Sequence, residues 1–198
     1  AMDQIATVMN ADDSVIEGLK TICEKNHPEI IGLATTGLSE TQGTDILRLV
    51  REFRVKYPQF ADTVVIPVNT PDFSGCFEAG FALAVEAIIN VMGPVSQHAG
   101  RRHRQVNVLA SSMLSPGDIE AIKEWIEAFG LRPVVVPDIG DSMDGHPIDK
   151  QHTPLTLGVT PLAEISAIGE SVATLAIVRS IPIVANLLLA RSRVTTYL

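Results

Sequence analysis

Apolar side chains recur along this chain in two rhythms. Val15, Ile16, Leu19, Ile22 and Cys23 return every three or four positions, the spacing of one helical face. Asp12-Asp13-Ser14 ahead of them supply oxygens that cap a helix start. Asn26-His27-Pro28 closes that helix, because the residue before a proline leaves the α region. Residues 29–35 form a short apolar run without alternation, the pattern of a strand buried on both faces. A second helix is expected from about 44 to 57, with Ile46, Leu47, Val50 and Phe53 inward and Arg48, Arg51 and Glu52 outward. Residues 63–68 predict another buried strand, and Phe77–Met92 an apolar, alanine-rich helix.

Residues 93–104 change composition abruptly, from apolar to Gly, Pro, His and Arg, and mark a linker. Beyond them the same order resumes, beginning with a strand at 105–110. Ser115-Pro116-Gly117-Asp118 has the form of a helix start, with Ser as N-cap and Pro at the first helical position. Ile119, Ile122, Ile126 and Phe129 form that helix's stripe, Gly130 ends it, and 132–137 are again a strand. Residues 138–159 are polar and irregular, long for a passive connection. A short helix from Thr160-Pro161, a strand near 173–178 and a helix at 182–190 complete the pattern. Short apolar strands alternating with amphipathic helices predict an α/β fold of parallel β/α layers. Two Rossmann-like lobes are expected, at 1–98 and 99–198, the first incomplete.

Composition narrows the classes of function. Among 198 residues, 46% are hydrophobic and 19% charged, enough apolar mass for a packed core. The net charge of −8 works against a phosphate backbone, so nucleic acid is not an expected partner. No apolar run approaches the roughly 20 residues of a bilayer span, so no membrane partner is expected either. Ala1-Met2-Asp3-Gln4 has no basic or apolar leader, and two cysteines make no disulfide framework, so a reducing cytoplasmic setting is expected. The two ends give the chain the look of a piece cut from something longer.

Candidate chemistry concentrates in two loops that follow predicted strands, where open parallel sheets collect ligands. One is Thr35-Thr36-Gly37-Leu38-Ser39-Glu40-Thr41-Gln42-Gly43. The other is Asn69-Thr70-Pro71-Asp72-Phe73-Ser74-Gly75-Cys76. Neither matches a dinucleotide or Walker phosphate loop. Turn and capping chemistry also accounts for such residues, with Thr41 or Thr44 as the cap of the second helix. Cys76 lies at a predicted helix start, where a thiolate is favoured; it is either a small buried residue or a soft metal ligand. Cys23, on an apolar helix face, is core. The histidines at 27, 98, 103, 146 and 152 lack metal-ligand spacing, and 98–104 suits a solvated linker. Asp138, Asp141, Asp144 and Asp149 recur too widely for a calcium loop and lack its closing Glu. On residues alone, the chain is a β/α ligand-binding protein without a specified reaction.

Together, however, the blocks Ile31–Gly43 (IGLATTGLSETQG) and Val68–Gly80 (VNTPDFSGCFEAG) resemble the nitrogenase component 1 family. The likeness continues through residues 104–110, 114–118, 129–133, 144–146 and 169–175. Within the family it is nearest the β-like subunit of the scaffold that assembles the iron–molybdenum cofactor. The resemblance implies an internal segment of a longer, non-catalytic subunit. Its expected partners are an α-like subunit of the NifE type, in a heterotetramer, and the nitrogenase iron protein. Its expected cofactors, in the full complex, are an iron–sulfur cluster and the iron–molybdenum cofactor precursor, with none held by this segment alone. The implied cluster-proximal residues are Thr35, Thr36, Gly37, Ser39, Glu40, Thr70, Pro71, Asp72, Phe73 and Gly75, with Cys76 as the candidate metal ligand. Catalytic β subunits carry a cluster-ligating cysteine where this sequence has Gly37, and Cys76 matches a position beside that cluster. An oxidoreductase subunit of the same family, and a small-molecule-binding protein outside it, are the alternatives.

Overall fold

The computed structural model describes residues 11–71, 73, 75–93, 102–140 and 160–177, with 186, 188–191 and 193–197. The chain forms two compact units, Ala1–Ser74 and Gly75–Leu198. The first runs α1 (Ala11–Asn26), β1 (Ile30–Ala34), α2 (Gly37–Thr41), α3 (Ile46–Lys56), a 3₁₀ turn (Pro58–Phe60) and β2 (Val64–Val68). The two strands pair in parallel, Ile30 with Val64 through Ala34 with Val68. Ile16, Leu19 and Cys23 of α1 meet Leu49 and Phe53 of α3 and Val65 of β2 in one core. Phe53 stacks on Phe60 at 6.3 Å between centroids, which fixes the turn leading into β2. Arg54 holds the same turn by donating to the carbonyls of Phe60 at 2.8 Å and Ala61 at 3.2 Å, and to that of Thr63.

Several side chains depart from the expected faces, each for a geometric reason. Asp45, not Thr41 or Thr44, caps α3 by accepting the Arg48 N–H at 2.9 Å. The helix therefore starts at Ile46, and its inward stripe is Ile46, Leu49, Val50 and Phe53, leaving Leu47 55% exposed. Ile22 lies off the Ile16–Leu19–Cys23 line and is 42% exposed. Strand β1 is not buried on both faces. Ile31 and Leu33 turn toward the helices, while Ile30, Gly32 and Ala34 are exposed, because the helices cover one face of this two-stranded sheet.

The second unit contains α4 (Phe77–Met92), β3 (Arg102–Leu109), α5 (Pro116–Ala128), β4 (Arg132–Val136), α6 (Leu162–Ile165), a 3₁₀ turn (Ile168–Glu170), β5 (Ser171–Ala176) and β6 (Thr195–Tyr197). Its strands form one parallel sheet in the order β4-β3-β5-β6. Val85 and Ile89 of α4 pack with Leu109, Val134, Val136, Ile165 and Ile168 on one face. Ile119 and Ile126 of α5 pack with Val106, Val108 and Val135 on the other. Helix α4 thus belongs to this unit, and the compact units divide before it, whereas the composition shift follows it at 93–104. Of that shift, residues 94–101 lie outside the described residues, and Arg102–Arg104 already belong to β3.

Capping of α5 follows the sequence signature. Ser115 accepts the Asp118 N–H while Asp118 accepts the Ser115 N–H at 2.8 Å, a reciprocal box. Gly130, at φ +72°, ends the helix as expected, but Phe129 sits at the C-cap and is 83% exposed. Strand β6 is an addition to the expected elements. The helix expected at 182–190 is described at 186 and 188–191, where it is helical. Asp138 is ion-paired with Lys123, while Asp141, Asp144, Asp149, His146 and His152 lie outside the described residues.

Strand β3 carries buried polar side chains on the face that also presents Leu109. Gln105 donates to Ser171 at 2.8 Å, Ser171 donates to Asn107 at 2.6 Å, and Asn107 donates to the Ile168 carbonyl at 2.9 Å and to Thr174 at 3.0 Å. Each is satisfied only when β3 and β5 hold the observed register, Asn107 opposite Thr174. Replacing Asn107 by Ala strands three buried partners, so we expect urea unfolding of this unit to lose about 2–3 kcal/mol. A loss within the scatter of surface substitutions would remove the network from the account.

The pairing of α1 with α3 carries an acid sensitivity. Tyr57 donates to Glu17 at 2.6 Å, which, with Lys20 and Lys56 nearby, holds the Glu17 carboxyl below its ordinary 4.5. A depressed carboxyl stabilises above its unfolded value and loses that contribution as pH falls through the folded one. The Tyr57–Glu17 contact is therefore expected intact at neutral pH and lost in acid below 4.5. An NMR titration of the Glu17 carboxyl checks this, and a midpoint at or above the ordinary value would contradict it.

Candidate functional site

The first unit brings its two predicted loops together at the carboxyl ends of β1 and β2. Parallel pairing continues past the strands, as the Thr35 N–H donates to the Val68 carbonyl at 3.0 Å. Thr35 is buried, and its hydroxyl links both loops. It accepts the Thr70 N–H at 2.8 Å and donates to Glu40 at 2.5 Å. In return the Thr70 hydroxyl donates to the Thr35 carbonyl at 2.8 Å. The same Glu40 oxygen, Oε1, accepts from Asn69 at 2.8 Å. Thr36 and Ser39 cap α2 reciprocally, the Thr36 N–H donating to the Ser39 hydroxyl at 2.8 Å. What reads as a loop in sequence is thus a single helical turn, with buried Gly37 as its first residue.

Thr35, Thr36, Gly37, Ser39, Glu40 and Thr70 therefore form one hydrogen-bonded strand-end constellation. Pro71 continues it, Phe73 is exposed, and Asp72 lies outside the described residues. Gly75 and Cys76 belong to the second unit. Gly75 has φ +79°, and a Cβ there would meet the Ala79 Cβ at 3.1 Å, so both the turn and the close approach require glycine. Cys76 is the exposed N-cap of α4, and its side chain makes no capping bond. Two residues on, Glu78 accepts the Ser112 N–H at 3.0 Å and the Ser112 hydroxyl. Ser112 follows β3, the strand at which the sheet order reverses. The thiol is thereby tethered to the crevice position of an open parallel sheet. Asn69, which the sequence places in the second loop without a role, and Glu78 and Ser112, which it does not single out, are the supporting partners here. Their roles rest on partners about 30 positions away, and no local spacing announces them.

The donor set sets a limit on metal chemistry. Among the described residues, no three His, Cys, Asp or Glu lie close enough to hold a metal ion. Cys23 is buried in the first core, which leaves Cys76 as the accessible thiol. An iron–sulfur cluster needs several thiolates, so these residues do not fit one as a complete ligand set, and Cys76 offers at most a single ligand. Also among the described residues, no helix is long and apolar enough to cross a membrane.

Fold and site together define a parallel β/α protein that presents shaped strand-end loops and one accessible thiol. The family model described as nitrogenase component 1 type oxidoreductase matches residues 1–197, and the chain belongs to that family. Similar curated proteins carry the name nitrogenase iron-molybdenum cofactor biosynthesis protein NifN. That of Klebsiella pneumoniae is 44% identical over 98% of this chain and 42% of its own length. That of a Nostoc strain is 40% identical over 89% of this chain and 39% of its own length, and that of Rhodobacter capsulatus is 37% identical over 89% and 38%. The chain thus spans about two fifths of these relatives. A solved structure titled nitrogenase Cp1 at pH 6.5 superposes with a TM-score of 0.87 at 26% identity, covering 99% of this chain and 42% of that one. Another, nitrogenase Cp1 at pH 5, matches in fold at 0.71 and 16% identity.

The Thr35 hydroxyl makes two of the bonds that hold the two loops together. Thr35→Val keeps the volume and removes one donor and one acceptor. We expect a loss of about 1–3 kcal/mol in the first unit and faster amide exchange at Thr70, with Thr35→Ser close to wild type. Unchanged exchange at Thr70 would show that the loops are held by something else.

Proposed function

We propose that this chain is part of the β-like subunit of a scaffold on which the iron–molybdenum cofactor precursor is matured before transfer to nitrogenase. The reading rests above all on one observation: relatives named for that biosynthesis align with 85–98% of the chain at 32–44% identity. Gly37 supports it. Where catalytic β subunits of the family present a cluster-ligating cysteine, this chain has a residue without a side chain. An iron–sulfur cluster, when bound in the complex, supplies the redox-active metal–sulfur centre, and most of its ligands come from outside these residues. The chain's own part is to set two strand-end loops in fixed positions. The partners are an α-like subunit of the NifE type, in a heterotetramer, and the nitrogenase iron protein, in the cytoplasm.

The test uses the full-length protein co-expressed with its α-like partner. Iron and sulfide bound without substrate turnover support the scaffold; turnover by the purified complex would make it a reductase subunit. Absence of both iron and partner would point to a small-molecule-binding protein. Within that complex, Cys76→Ala is expected to leave iron content nearly unchanged, because the described residues around it add no second thiolate. Loss of a whole cluster per αβ pair would make Cys76 a ligand.

A further inference from the structure

We draw no further inference here: the strongest candidate, the outer edge of β1, where Ile30, Gly32 and Ala34 are exposed and the strand pairs with β2 alone, carries nothing, because nothing among the described residues shows what covers it.

Discussion

The hydroxyl of Thr35 carries the candidate site. It is buried at the end of β1, where it accepts the Thr70 N–H and donates to Glu40, so one atom ties the loop after β1 to the loop after β2. A buried hydroxyl is costly unless both its capacities are used, and here both are. Asn69 adds a second donor to the same Glu40 oxygen. The turn at Gly37 and the chain at Pro71 therefore hold their places through a small network of protein hydrogen bonds. Preorganisation of this kind suits a surface that must keep its shape while something else is bound.

The second unit uses the same device in its sheet. Gln105, Asn107, Ser171 and Thr174 occupy positions that an all-apolar strand would fill with valine or leucine. Apolar residues would pack in more than one register, since a slip of two positions restores the same faces. The polar set is satisfied in one. Its fixed register of β3 against β5 sets where β3 ends, and so where Ser112 meets Glu78 and where Cys76 stands.

Local signals made much of this visible in the sequence. Ser115-Pro116-Gly117-Asp118 and Gly130 mark the ends of α5 because capping is decided within a few residues, and the apolar, alanine-rich run Phe77–Met92 coincides with the observed helix. The two loops stood out because hydroxyls, glycines and carboxylates crowd the ends of apolar runs. What escaped was whatever depends on distant partners. Leu49 rather than Leu47 faces the core because Asp45 sets the helix start. The exposure of Ile30, Gly32 and Ala34 follows from which face the helices cover, and a run of apolar residues does not encode that choice. Helix α4 is apolar over most of its surface, so periodicity did not say which sheet it would cover. The Thr35–Thr70 and Glu78–Ser112 links join residues about 35 positions apart, and no spacing rule reaches that far.

The way the polar groups are used also bears on what the site can do. A general acid or base needs a lone pair or proton free to meet a substrate. Oε1 of Glu40 already holds two donors, Glu78 holds the Ser112 N–H and hydroxyl, and Ser39 is engaged with Thr36. These oxygens thus hold neighbouring side chains and backbone in place. The Cys76 thiol makes no capping bond. In the first unit the polar side chains are thus spent on the shape of the strand-end loops, while in the second the exposed Cys76 thiol is left without a capping role.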